Sequence, residues 1–231
     1  MPARNAIKIY TENGYYHIYN RGVEKRDIFS DKQDYKVFLH FLKRYLTKPS
    51  KSPYLIQPRW KFDLYDKINL IAYCLMPNHF HLMIKQFTKE AMSEFMRALS
   101  NSYIRYFNEK YNRIGVLFQG RYKAVIIDVE PYLLHLTRYI HLNPSGLESS
   151  GEPGEVRPGT GSDLVRVRDY PYSSYAEYLG KQNTDWIHPE EILSFFKTAQ
   201  RTSLRDCLSY QSFVEDYKED PKEILSSLAI D

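Results

Sequence analysis

His79 and His81 stand one residue apart in a stretch where the apolar, β-prone run 68–75 is followed by the turn Met76-Pro77-Asn78 and then by 79–85. Strand side chains alternate between faces, so both imidazoles project from one face and Phe80 from the other. Two adjacent imidazoles are half of a metal site; two half-exposed strand histidines are the simpler alternative. A second group with chemical potential lies further along. Over 131–143 a helical pitch places Tyr139 and Asn143 one turn apart on the same face, flanked by His135 and beside the apolar stripe Leu133, Leu136 and Ile140. A phenol that has lost its proton can attack phosphorus, and an asparagine amide oxygen can complete a cation's shell. Taken by themselves, the same residues also suit a tyrosine at the rim of a core stripe and an asparagine capping the helix before Pro144.

The elements that must position these groups follow from periodicity. Tyr15–Tyr19 predicts a strand ended by the turn Asn20-Arg21-Gly22. Asp31 can cap a helix whose apolar positions Tyr35, Phe38, Leu42 and Tyr45 run to about Leu46. Residues 47–67 are basic and proline-bearing, which predicts a loop. The pair 68–75 and 79–85 forms a hairpin, and an amphipathic helix follows from about Lys89 to Tyr111. Ala124–Ile127 predicts a strand, and Glu130-Pro131 opens the helix that ends near Asn143, since Pro144 disfavours helix in the residue before it. The hairpin demands antiparallel pairing, so the class is α+β: an antiparallel sheet with helices packed on it. Residues 146–169, rich in glycine and proline, predict a flexible linker, and 170–231 an acidic, mostly helical C-terminal extension.

Charge divides the chain in the same place. Residues 1–145 hold 23 Lys and Arg against 12 Asp and Glu, whereas 146–231 hold 9 against 16. A basic body predicts a polyanionic partner. The 21 tyrosines and 12 phenylalanines add rings among the cations, as in Tyr103-Ile104-Arg105-Tyr106-Phe107 and Arg121-Tyr122-Lys123, a combination suited to single-stranded nucleic acid. Most of these rings still belong to the core. Two cysteines, Cys74 and Cys207, make no disulfide framework, and no apolar run reaches the length of a membrane helix, so a cytoplasmic protein without a membrane partner is expected.

Four stretches, in order, resemble the single-tyrosine HUH transposases, with the REP-associated tyrosine transposases the nearest subgroup. They are Tyr15-Tyr16-His17-Ile18-Tyr19-Asn20-Arg21-Gly22, Tyr73-Cys74-Leu75-Met76-Pro77-Asn78-His79-Phe80-His81-Leu82, Phe118-Gln119-Gly120-Arg121-Tyr122-Lys123 and Arg138-Tyr139-Ile140-His141-Leu142-Asn143-Pro144. Tyr170-Pro171-Tyr172-Ser173-Ser174-Tyr175 resembles the segment that often follows.

The resemblance implies a ferredoxin-like antiparallel sheet within a transposase or nuclease domain over 1–145. It implies that His79 and His81 bind Mg²⁺ or Mn²⁺, and that Tyr139 is the nucleophile in preference to Tyr103, Tyr106 or Tyr132. Asn143 stands where relatives often carry a glutamine ligand. The implied activity is cleavage and rejoining of single-stranded DNA, at hairpin-forming repeats, through a 5′-phosphotyrosine. Arg21, Arg121 and Lys123, each in a matching motif, are expected on the DNA backbone. Monomers and homodimers both occur among relatives. Two other readings remain at this stage: a hydrolase using metal-activated water, and a non-cleaving regulator that binds nucleic acid on the same sheet.

Overall fold

The computed structural model describes residues 8–48, 64–149, 156–158, 166–197 and 209–216. Most of the basic loop expected over 47–67 lies outside these residues, as do Cys207, more than half of the expected linker and, of the acidic extension, residues 198–208 and 217–231.

Four strands form one antiparallel sheet in the order β2-β3-β1-β4: β1 (Tyr15–Arg21), β2 (Ile68–Met76), β3 (His79–Gln86) and β4 (Lys123–Ile127). With α1 (Lys32–Leu46) after β1 and α2 (Ala91–Lys110) after β3, the chain has the split βαβ arrangement expected of a ferredoxin-like domain. Asp31 starts α1 as predicted. Its carboxylate accepts from the backbone of Gln33 and Asp34, and the Asp34 side chain accepts in return from the backbone of Asp31.

Alternation along β3 divides the sheet chemically. Phe80, Leu82 and Ile84 are buried on the face covered by α1 and α2, where Phe80 meets Phe38 with ring centroids 5.3 Å apart and Phe38 meets Tyr103 at 4.9 Å. His79 and His81 point to the other face, on which α3 (Glu130–Leu142) lies. Pro131 sits in the first turn of α3, as expected, and fully buried Leu136 and Ile140 dock the helix against the sheet.

Gly22 closes the end of β1 that matters for the site. A Cβ there would stand 2.1 Å from the carbonyl oxygen of Arg26, so only glycine fits. The close approach lets the Gly22 amide donate to the Asn78 carbonyl at 2.9 Å, tying the end of β1 to the β2–β3 turn.

Strand β2 has no partner strand on its outer side within the four-stranded sheet, and the C-terminal residues cover it. The Leu75 amide donates to the Tyr172 carbonyl at 2.9 Å and the Ser174 amide to the Tyr73 carbonyl at 3.0 Å. His188 donates through its amide to the Leu70 carbonyl at 2.9 Å. An exposed edge that would pair with other chains is thereby occupied. Beyond α3, Leu147–Ser149 (β5) pairs with Val156–Pro158 (β6) as a small hairpin. Among the described residues three short helices follow: α4 (Tyr175–Tyr178), α5 (Glu190–Lys197) and α6 (Tyr210–Glu215). Among the described residues no helix is long and apolar enough to cross a membrane.

Candidate active site on the histidine face

The register of the sheet gathers the candidate groups. Tyr19 stands opposite His81 and Arg21 opposite His79, which puts His17, Tyr19, Arg21, His79 and His81 on one face. The rings of His79 and His81 are 5.0 Å apart and edge-on. Tyr139 comes down from α3 with its ring 5.3 Å from that of His81, also edge-on, and 6.1 Å from His17. Three of the predicted residues thus converge. Tyr139 is buried rather than at the exposed rim its place in the stripe suggests, because the histidine rings close around it. His135, one turn before Tyr139 on α3, lies against Arg138 and against Phe213 of α6, with ring centroids 5.8 Å apart.

Both imidazoles of the pair are held through Nδ1. His79 Nδ1 donates to the Asn78 side-chain oxygen at 2.6 Å, and that amide is oriented by its own donation to the Lys25 carbonyl. An acceptor on Nδ1 places the lone pair of His79 on Nε2. His81 Nδ1 is 2.9 Å from His17 Nε2, and the two rings are stacked. His81 Nε2 is buried and has no hydrogen-bond partner among the described residues. Burial, reinforced by the nearby His79, His17 and Arg21, holds the His81 imidazole well below its ordinary value, so it stays neutral with a lone pair to give.

Asn143 takes the capping position its place before Pro144 suggests. Its Nδ2 donates to the Tyr139 carbonyl at 2.9 Å, capping the helix, and Oδ1 is the atom left for a ligand role. The amide is near enough to His81 to favour the charged imidazole slightly, without making a hydrogen bond to Nε2. Among the described residues no three His, Cys, Asp or Glu side chains form a metal-holding group. The oxygen donor next to the pair is the Asn143 amide, which lies beside His81. The orphaned Nε2 of His81 and the neutral N/N/O donor set fit a divalent ion with open positions.

The three cations differ in placement. Arg21 leaves β1 near His81, close enough to act on its charge, and its buried Nε lacks a hydrogen-bond partner among the described residues. Lys123 is half-buried with Nζ 5.8 Å from the centroid of the Tyr19 ring, at the border of the histidine face. Arg121 is exposed in the segment that follows the Gly22–Phe118 bridge.

Two contributors escape the sequence reading. Alternation places His17 on the face of Tyr19, but its contact with His81 is a diagonal across two strands that only their register creates. Asn78 reads as a turn residue, and its bond to His79 needs the geometry of that turn.

Residues 59–143 match a family model described as transposase, IS200-like. That segment is similar to the IS200-like transposases. The matched segment contains β2, β3, α2, β4 and α3, and with them His79, His81, Tyr139 and Asn143. No curated protein matches the chain. A solved structure of the REP-associated tyrosine transposase bound to a REP hairpin shares the fold. It is 13% identical, with a TM-score of 0.50, and the likeness covers 79% of this chain and 95% of that one. A Deinococcus radiodurans R1 protein described as a transposase is 14% identical with a TM-score of 0.36, covering 61% of this chain and 95% of the other.

Proposed function

We propose that the chain is a metal-dependent single-stranded DNA endonuclease and strand transferase that works through a 5′-phosphotyrosine on Tyr139. The observation that carries this reading is the edge-on approach of Tyr139 to within 5.3 Å of His81, whose outer nitrogen is buried and unclaimed. His79, His81 and Asn143 Oδ1 would hold Mg²⁺ or Mn²⁺. Such an ion, when bound, polarises the scissile phosphate.

The residues of this chain account for the rest. Burial and the surrounding rings fix the Tyr139 phenol against the histidine face, which limits the directions from which a phosphate can meet it. In cleavage the Tyr139 oxygen forms a bond to phosphorus, its proton passing to solvent, while the bond from phosphorus to the 3′-oxygen breaks. That oxygen takes up a proton and leaves as a free 3′-hydroxyl. The phosphodiester is conserved in the tyrosine ester, so the reverse attack rejoins the strand with no nucleotide cofactor. Arg21, with a donor still to satisfy beside the site, binds the phosphate next to the scissile one, and Lys123 and Arg121 follow the backbone outward.

The structural neighbour was solved with a REP hairpin, which supports hairpin-forming single-stranded DNA as the substrate class. Tyr139 and His81 meet within one chain, which supports attack in cis by a monomer. The domain over 1–145 then performs the chemistry and the residues beyond it brace the sheet edge.

The test is a denaturing-gel assay with end-labelled hairpin DNA from the flanks of the gene, with and without Mn²⁺. A slow-migrating protein–DNA adduct is expected for the unaltered chain in Mn²⁺ and not for Tyr139→Phe. Cleavage that persists in Tyr139→Phe would transfer the reading to a water-using hydrolase, and tight binding without cleavage would transfer it to a regulator.

A further inference from the structure

His17 is a fully buried imidazole in the middle of β1, and it touches neither end of the sheet. Its Nε2 is 2.9 Å from His81 Nδ1, the rings are inclined by 16°, and their centroids are 5.1 Å apart. A hydrogen bond between two imidazoles needs one nitrogen to carry the proton and the other to accept it. Two arrangements exist. If His17 Nε2 carries the proton, His81 is left with a proton on Nε2, a buried donor with no partner among the described residues. If His81 Nδ1 carries it, His81 Nε2 keeps its lone pair, on a ring that stands beside the Asn143 amide and edge-on to Tyr139. The first arrangement leaves a buried N–H beside the Asn143 amide without a formed hydrogen bond among the described residues, and it closes Nε2 to a cation. The second is relieved whenever a cation is present.

We infer that His17 is a positioning residue that accepts the Nδ1 proton of His81, fixing the tautomer and ring orientation in which Nε2 faces the site. Asn78 does the same for His79 from the β2–β3 turn. Each histidine of the pair thus has a dedicated acceptor behind it, one supplied by β1 and one by the turn. Outer partners of this kind raise ligand basicity and hold the ring in place, and their loss typically weakens metal binding by about 10- to 100-fold. This inference rests on the metal reading of His79 and His81 given above.

Two measurements on the full chain test it. Long-range ¹H–¹⁵N correlation of the metal-free protein reads the His81 tautomer directly. The proton is expected on Nδ1, and a proton found on Nε2 overturns the inference whether or not the chain binds metal. Titration with Mn²⁺ alone, followed by electron paramagnetic resonance, compares the unaltered chain with His17→Phe and His17→Gln. Phenylalanine keeps the ring but accepts nothing, and about 10- to 100-fold weaker binding is expected; glutamine can accept, and binding within about threefold of the unaltered chain is expected. Equal affinity for the unaltered chain and a folded His17→Phe overturns the positioning role. An unaltered chain that takes up no Mn²⁺ defeats the metal reading instead, and the tautomer measurement then decides the present inference by itself.

Discussion

His81 and His141 are both fully buried, and burial pushes both imidazoles below their ordinary value, that of His141 to about 3. Their nitrogens end differently. His141 uses both, Nδ1 with the Tyr210 hydroxyl at 2.7 Å and Nε2 with Ser174 Oγ at 2.9 Å. His81 uses one, with His17, and leaves the other buried without a hydrogen-bond partner among the described residues, beside the Asn143 amide. The helix α3 therefore meets two imidazoles of opposite character. His141, its own residue, fastens it to the C-terminal segments, and His81, across the sheet, meets its tyrosine. Burial by itself marks neither role. What separates a fastening histidine from a candidate ligand in this fold is whether its second nitrogen is claimed.

Removing each imidazole in turn is the strongest way to break the comparison. His81→Ala is expected to abolish Mn²⁺-dependent adduct formation, by at least about 1000-fold, while the chain stays folded by circular dichroism. His141→Ala is expected to do the reverse. It removes the His141 bonds of the Tyr210 hydroxyl and of Ser174 Oγ, the latter keeping its bonds to the Tyr73 backbone, opens a cavity in the interior and costs about 2–4 kcal/mol in urea unfolding, with cleavage retained at low temperature. Equal effects of the two changes on stability and cleavage would erase the distinction.

How much of this was legible beforehand follows the range of the interactions. Alternation in 79–81 put both imidazoles on one face, and a helical pitch put Tyr139 and Asn143 one turn apart, because both patterns are local. The α1 start at Asp31 and the Pro131 entry to α3 were legible for the same reason. The depth of Tyr139, the pairing of His17 with His81 and the sealing of His141 were not. Each depends on strand register or on residues 33 to 69 positions away, such as Ser174 and Tyr210. The closing of the β2 edge by Tyr172–Ser174 was hidden likewise, since a Tyr-Pro-Tyr-Ser-Ser-Tyr string carries no sign of the strand it will meet.

Acidity sharpens the contrast on a smaller scale. In the unfolded chain His141 takes up a proton near its ordinary 6.5, and in the folded chain not until about 3. Between those values the unfolded state binds the extra proton, so the contribution is complete above pH 6.5 and is lost as the pH falls toward 3. Lowering the pH from 7 to 5 should cost about 2 kcal/mol through this residue, and His141→Gln should flatten that part of the profile in urea titrations. A profile unchanged by His141→Gln would mean that the imidazole is not held neutral.

The smallest effect is expected at the rim. Arg21→Ala should weaken single-stranded DNA binding roughly fivefold and lower the salt dependence by about one phosphate contact, leaving stability and Mn²⁺ affinity nearly unchanged. Fluorescence anisotropy over a range of salt concentrations reads both quantities.

The account as a whole depends on Tyr139 becoming covalently bound to DNA. The direct measurement is mass spectrometry of the peptides recovered after the full-length protein has been incubated with labelled hairpin DNA and Mn²⁺, then digested with protease and nuclease. The account predicts a nucleotide remnant joined through its 5′-phosphate to the peptide containing Tyr139, and to no other tyrosine. A remnant on another tyrosine, or cut DNA with no remnant on any peptide, would contradict it.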